Sequence, residues 1–164
     1  MNYLIVIIIL VILATFLLRI SGLPYEIFLL AIFLWIPGRY LHEKAHHYFF
    51  RRYGIETTIQ IDWNKSGSFK NHLDKKNEKL FMKLPFEKQS KALLAGILCD
   101  CAITGLVFIV YFVSSAIANS HLTFFSLILL AFYSAAIIIN LFSPGSDGWK
   151  LSKLKKGEDI TKYG

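Results

Sequence analysis

The sequence is poor in cysteine and in charge. Its 164 residues include two cysteines, Cys99 and Cys101, which lie in one apolar run and are too close together for a disulfide framework. This cysteine usage indicates no oxidising compartment. Charged residues make up only 18% of the chain and are clustered, which argues against a disordered chain and against a nucleic-acid binder with a dispersed basic surface.

Apolar residues are abundant, at 55% of the chain, compared with roughly 45 to 50% in soluble proteins. They form four runs, which predict transmembrane helices at residues 3–18, 24–50, 92–118 and 122–142. The first run lacks the positive amino end and the cleavage site of a secretory signal, so we expect it to be retained. Pro37 predicts a kink in the second helix. The predicted fold class is an all-α membrane protein with four transmembrane helices.

The polar segment at residues 51–91 has ten Lys or Arg against five Asp or Glu, so we expect a loop outside the membrane. Within it, loose alternation at 55–63 and a turn at 64–67 predict a small β-hairpin. Four helices place both termini and this loop on one side, which the positive-inside rule makes cytoplasmic. We therefore expect a multi-pass protein of the cell membrane, with one membrane domain at 1–149 and a basic cytoplasmic tail at 150–164.

The second predicted helix contains the motif H-E-x-x-H at residues 42–46. One helical turn separates His42 from His46, so both imidazoles face one side about 6 Å apart and can bind one tetrahedral Zn²⁺. Glu43 lies about 100° round the helix from His42, where it can accept a proton from a water at the metal without being a ligand. The motif predicts metal-assisted hydrolysis with Zn²⁺ as the cofactor.

Two other interpretations of this motif are open. The side chains can be interfacial polar residues near a helix end, with neighbouring basic residues extending to lipid headgroups. Alternatively, the three histidines of residues 42–47 form a box like those of membrane di-iron desaturases and hydroxylases. Those enzymes need several such boxes, whereas the two remaining histidines, His72 and His121, fall on opposite sides of the predicted membrane. A single zinc site is therefore favoured.

A zinc site needs a third protein ligand, and Asp147 is the best candidate. Pro144 and Gly145 break the fourth predicted helix just before it, and broken backbone at membrane depth must be surrounded by protein or by a hydrated cavity. By the predicted topology, Asp147 approaches the same cytoplasmic face as the histidines. The alternative is an ordinary aspartate in a turn before a basic tail.

Asp100 lies within the third predicted helix, where an ionisable group usually faces the bundle interior and a partner, or marks a functional site. It can orient a zinc-bound histidine, bind a substrate through a hydrogen bond to the substrate backbone, or be a protonated structural residue. The sequence leaves these three roles open.

The H-E-x-x-H helix, the later Gly-x-x-x-Asp step that ends at Asp100, and a final Asn…Pro…Asp-Gly segment at 140–148 together resemble the site-2 protease family of intramembrane zinc metalloproteases. The resemblance covers about residues 24–149 and suggests a short member without a PDZ or other regulatory domain. The segment after the metal helix also looks like the family's β-hairpin, which can receive an unwound substrate strand. The resemblance implies zinc binding by His42, His46 and Asp147, general-base catalysis by Glu43, and substrate handling by Asn140.

The expected function is therefore that of an intramembrane zinc metalloprotease. It would hydrolyse peptide bonds of membrane-embedded or hydrophobic peptide substrates near the cytoplasmic face. The alternative is a non-catalytic integral membrane protein, such as an assembly or immunity factor, with a structural metal site. The expected partners are the substrate and the lipid bilayer, and no nucleic acid.

Overall fold

The computed structural model describes residues 25–62, 68–158 and 160, and within them the chain is mostly helical. The predicted transmembrane run at 3–18 and the predicted hairpin turn at 64–67 lie outside the described residues. The elements in chain order are α1 (Tyr25–Arg52), β1 (Thr58–Asp62), β2 (Ser68–His72), α2 (Lys75–Lys83), α3 (Phe86–Ala116), α4 (Ser120–Phe142) and α5 (Asp147–Lys155).

Two helical stretches of the described residues are long and apolar enough to cross a membrane, Phe86–Ala116 and Ser120–Lys155. They contain the third and fourth predicted spans. α1 covers most of the second predicted span as one helix of 28 residues that includes Pro37, but Arg39 and the histidines make its second half more polar. Association with a membrane is therefore indicated by two helices, and crossing by the other two predicted spans stays a prediction.

The predicted β-hairpin strands are present. β1 and β2 pair antiparallel, with Ile59 opposite Asn71 and Ile61 opposite Phe69. The hairpin packs on α1, where the rings of Phe69 and Tyr40 meet edge to face with centroids 5.4 Å apart. This contact places β2 beside the turn of α1 that carries the H-E-x-x-H motif.

The structure also contains features that the sequence analysis does not predict. α2 lies in the polar loop and begins after Asp74, whose side chain accepts a hydrogen bond from the Asn77 backbone N–H in the manner of an N-cap. α3 begins after Pro85, earlier than the predicted start at residue 92. The segment predicted as a polar tail continues α5 through Lys155 and buries Leu154, so part of the tail belongs to the fold.

Two clusters of buried apolar side chains lie on either side of the histidines along α1. One cluster lies between α1, α3 and α4. It consists of Ala31, Leu129 and Tyr133, with Trp35, Ile103, Val107, Phe125, Ile128 and Phe132 packed against it. The other cluster joins the carboxyl-terminal end of α1 to α2, α3 and the chain after α4, and it consists of Phe50, Ile55, Phe81, Ala92, Leu93, Leu154 and Ile160. Packing on both sides thus encloses the middle of α1.

Candidate metal centre

α1 directs His42 and His46 towards α3. The two residues are four apart and therefore share one side of the helix, and this side is closed to solvent, because only 1% of His42 and 4% of His46 is exposed. Their Nε2 atoms lie 3.1 Å apart. The two predicted nitrogen ligands thus converge on one point.

Asp147 reaches this point from the far end of the chain. After α4 the chain turns through residues 143–146, and Gly145 adopts a left-handed conformation with a φ of 81°, which glycine tolerates without strain. The Oδ2 atom of Asp147 lies 3.0 Å from His46 Nε2 and 3.3 Å from His42 Nε2. The structure therefore brings the three predicted ligands together, although His46 and Asp147 are 101 residues apart in sequence.

The hydrogen bond made by Nδ1 of each histidine ring determines which nitrogen of that ring carries the proton. His46 Nδ1 donates to the backbone carbonyl of Ala92 at 2.7 Å, and a carbonyl only accepts, so the proton lies on Nδ1. His42 Nδ1 likewise donates to the carboxylate oxygen Oδ2 of Asp100 at 2.9 Å. In the neutral form, each ring therefore turns an unprotonated Nε2 towards the carboxylate of Asp147.

The donor set fits a zinc ion. Three lone-pair donors at 3.0 to 3.3 Å from one another repel unless a proton or a metal cation lies among them. A tetrahedral Zn²⁺ about 2.0 Å from each donor would separate the donors by about 3.3 Å, close to the observed spacing. Among the described residues, the group of His, Cys, Asp and Glu side chains that could hold a metal ion consists of His42, His46 and Asp147.

Gly96 on α3 makes room for the two histidines. A Cβ atom at this position would collide with His46 Nε2 and would lie 2.5 Å from His42 Nε2. The missing side chain therefore leaves the space into which both candidate ligand nitrogens project. The glycine of the Gly-x-x-x-Asp step has a specific role here, beyond general helix packing.

Replacing Gly96 with alanine should lower zinc affinity by at least about tenfold, because the added methyl group displaces both ligating nitrogens. Alanine favours a helix more than glycine does, so α3 should remain folded. Gly105 is the matched control, since a Cβ there meets nothing within 4 Å on the same helix. Zinc content by atomic emission and helicity by circular dichroism would be measured for both alanine variants. Equal zinc retention in the two variants would remove Gly96 from the site.

Asp100 is completely buried and positions His42. Besides His42 Nδ1, its Oδ2 accepts hydrogen bonds from Arg39 Nη1 at 3.0 Å and from Asn140 Nδ2 at 2.9 Å. A carboxylate behind a metal-binding imidazole fixes the orientation and the tautomer of the ring. Of the three roles that the sequence leaves open for Asp100, these contacts correspond to the orientation of a histidine. The predicted contacts of Asp100 and Asn140 with substrate stay predictions.

Arg39 is a member of the site that the sequence analysis does not identify. It lies three residues before His42 on α1, and its side chain is 16% exposed and forms an ion pair with Asp100. The sequence contains one sign of this role, since Arg39 lies within a largely apolar helix. A charge buried in such a helix needs a partner of opposite charge. Arg39 and Asp100 are thus partners that hold α1 and α3 in register at the metal centre.

Glu43 lies beside the three donors and is not one of them. Its Oε1 is 4.0 Å from His42 Nε2. Its Oε2 accepts hydrogen bonds from the backbone N–H and the side-chain amide of Asn71, at 3.0 and 2.7 Å. One carboxylate oxygen is therefore held by β2, while the other remains on the side of the metal position, where it can accept a proton from water.

Asn71 is the second residue of the site that the sequence analysis misses. Its amide also donates to the backbone carbonyl of Glu43 at 2.7 Å, and its oxygen accepts from Thr57 Oγ1 at 3.2 Å. Thr57 Oγ1 in turn accepts from His47 Nδ1 at 2.7 Å. These bonds tie Glu43 to the hairpin. No local pattern indicates them, since they depend on how the hairpin packs against α1.

Comparison with known proteins yields no relative from which to carry over a function. No protein-family model, curated protein or solved structure matches the chain. The functional conclusion therefore depends on the geometry of the donors and of the residues around them.

Proposed function

We propose that this protein is an intramembrane zinc metallopeptidase of the site-2 protease type. The observation that carries the proposal is the convergence of His42 Nε2, His46 Nε2 and Asp147 Oδ2 within 3.0 to 3.3 Å of one another, with Glu43 beside them. Two imidazoles, one carboxylate and an adjacent glutamate are the parts required for metal-assisted hydrolysis of a peptide bond.

The number of protein donors supports a catalytic site over a structural one. Structural zinc sites are usually closed by four protein ligands, whereas catalytic sites have three and keep a position open. The described residues supply three donors. In the alternative function, a non-catalytic membrane protein with a structural metal, Glu43 would serve only to tie α1 to the hairpin through Oε2, and the position of its Oε1 near the three donors would have no role.

The roles of the residues follow from their positions. His42, His46 and Asp147 would hold the metal, which polarises a carbonyl oxygen and makes water nucleophilic near neutral pH. Glu43 takes the proton from the attacking water at Oε1 and delivers it to the leaving nitrogen of the peptide. Asn71 keeps Glu43 in place through its Oε2. Asp100 and Arg39 keep the His42 ring directed at the metal position.

The surroundings of the site support an apolar substrate. α3 exposes a row of large apolar side chains, including Leu98 and Leu106 at 65% each, as expected of a helix in contact with lipid. A peptide bond within a membrane helix is protected by its own hydrogen bonding, so cleavage requires an extended substrate. The hairpin beside Glu43 offers strand edges with which an unwound segment can pair. The proposed substrates are membrane-embedded or hydrophobic peptides, cut near the cytoplasmic face.

Metal removal tests the proposal. The purified full-length chain in detergent micelles should contain about one zinc per chain and should cleave a synthetic apolar helical peptide. A chelator should abolish cleavage, and added zinc should restore it, because the apoprotein retains Glu43 but cannot activate water. A chain that binds no zinc, or one that cleaves the peptide equally well without metal, would contradict the proposal.

A further inference from the structure

A shallow cleft lies on α1, on a different side of the helix from His42 and His46. It has a volume of about 580 Å³ and is lined by Lys44, His47, Tyr48, Arg51 and Arg52. The spacing of Lys44, Tyr48, Arg51 and Arg52 corresponds to successive helical turns, so these residues follow one another along one face. The cleft therefore combines three basic side chains with a tyrosine near the carboxyl-terminal end of the helix.

Among the described residues, the three cations have no acidic partner. In the parts of the chain that the structure describes, the ion pairs involve other residues, and none includes Lys44, Arg51 or Arg52. Within the cleft, Arg52 makes a long side-chain hydrogen bond of 3.5 Å to the hydroxyl of Tyr48. Three cations that face one concave surface without a carboxylate produce a positive potential suited to an anion.

The side chains of these cations are not needed to satisfy the last backbone carbonyls of α1. Backbone N–H groups of the next residues already bond the last free carbonyls of the helix: Tyr53 N–H donates to Phe49 and Phe50, Gly54 N–H to Arg51, and Ile55 N–H to Phe50. The side chains of Arg51 and Arg52 are therefore available to a ligand in the cleft.

The surface of α1 beyond the cleft is apolar and exposed. Leu41, one turn before Lys44, is 49% exposed, and Phe33, further towards the amino end, is 71% exposed. Leu30 and Leu34 are exposed on the same stretch. One face of α1 thus presents apolar side chains first and cations after them, which is the order of the acyl chain and the headgroup of a phospholipid that lies along the helix.

We propose that the cleft of Lys44, Tyr48, Arg51 and Arg52 binds the phosphate of an anionic phospholipid, with the acyl chains along the exposed apolar face of α1. The basic side chains neutralise the phosphate, and the tyrosine lies at the depth of the headgroups, where its ring is apolar and its hydroxyl polar. The proposal depends on the predicted placement of α1 in a membrane. It does not depend on peptidase activity at the metal centre.

The test measures lipid binding to the full-length chain in a nonionic detergent by native mass spectrometry. Phosphatidylglycerol is the anionic probe, phosphatidylcholine the zwitterionic one, and inorganic phosphate a competitor without acyl chains. The variant combines Lys44→Gln, Arg51→Gln and Arg52→Gln. The control combines Lys75→Gln, Lys76→Gln and Lys79→Gln on α2, which removes the same charge from exposed positions away from the cleft.

The wild-type chain should bind phosphatidylglycerol in preference to phosphatidylcholine, and inorganic phosphate should not displace the lipid. The cleft variant should lose at least about tenfold in affinity for phosphatidylglycerol, and the control should match the wild type. Lys44→Gln alone should lose about fivefold, which keeps the test valid should the triple variant fail to fold.

Three results would overturn the proposal. Equal binding of the two lipids would exclude an anion site, and displacement by inorganic phosphate would assign the cleft to a free anion. An equal loss in the α2 control would show diffuse attraction by net charge. Zinc content is measured in parallel and should stay unchanged in every variant, so failure of the lipid proposal is distinguishable from failure of the metal centre.

Discussion

Replacing Glu43 with glutamine should reduce cleavage of an apolar peptide by about 10²- to 10⁴-fold, the usual contribution of general acid–base catalysis, and leave the zinc content unchanged. Glutamine has nearly the same shape as glutamate, and its amide oxygen can still accept both hydrogen bonds from Asn71. It cannot accept a proton from the attacking water. The variant therefore separates proton transfer from metal binding.

The matched control is Glu26→Gln, an exposed glutamate on the first turn of the same helix. It removes the same charge far from the metal position and should cleave at the wild-type rate. Single-turnover rates and zinc content would be measured together for both variants. Full activity in Glu43→Gln with zinc retained would exclude Glu43 as the general base. A zinc-loaded wild-type chain that cleaves no peptide would favour the non-catalytic alternative, in which the metal only supports the fold.

Replacing Asp147 with alanine should weaken zinc binding by more than about 100-fold. Loss of a residue that only supports a ligand costs 10- to 100-fold, and Asp147 is one of three direct donors. The expected mechanism is loss of the negative donor at 3.0 and 3.3 Å from the two imidazole nitrogens. Peptide cleavage should fall with the zinc content, because Glu43 alone does not make water nucleophilic.

Glu158→Ala is the control for this variant. Glu158 lies just beyond α5 and pairs with Lys153, so its loss changes the charge of the same segment without touching the metal position. Zinc titration monitored by a competing chelator would give both affinities, and circular dichroism would show whether the helices persist. Near-stoichiometric zinc in a folded Asp147→Ala protein would remove Asp147 from the site.

The residues that could hold a metal were predictable because helical geometry and chain breaks are local properties. The spacing of His42 and His46 places both rings on one side of any helix. Pro144 and Gly145 indicate a break that lets the following aspartate turn inward. The resemblance to the site-2 proteases implied the same ligand set, and the structure brings these three side chains together.

The supporting residues were less accessible to sequence reasoning, because their roles depend on contacts between distant elements. Asn71 reaches Glu43 only through the packing of β2 on α1. Arg39 reaches Asp100 only because α1 and α3 pack closely at Gly96. For Asp100, the sequence allowed three roles, and its position in a predicted helix did not distinguish a contact with His42 from a contact with substrate.

In the fold, too, local patterns were predictable from the sequence, whereas elements that depend on tertiary contacts were not. Long apolar runs predicted α3 and α4, and alternation predicted the hairpin strands. α2 and the end of α5 were harder to predict, because short polar helices are stabilised mainly by tertiary packing. Phe81 of α2 and Leu154 of α5 are both buried in the cluster around Phe50. Their apolar faces are too small to stand out in the sequence.

The separation of the ligands along the chain bears on the biogenesis of the protein. His46 and Asp147 are 101 residues apart, so a nascent chain that has inserted α1 alone holds two of three donors. Under the proposed function, a peptidase assembled in this order would remain inert while its own apolar segments enter the bilayer. Activity would begin only when α5 docks, so self-cleavage during synthesis would be avoided.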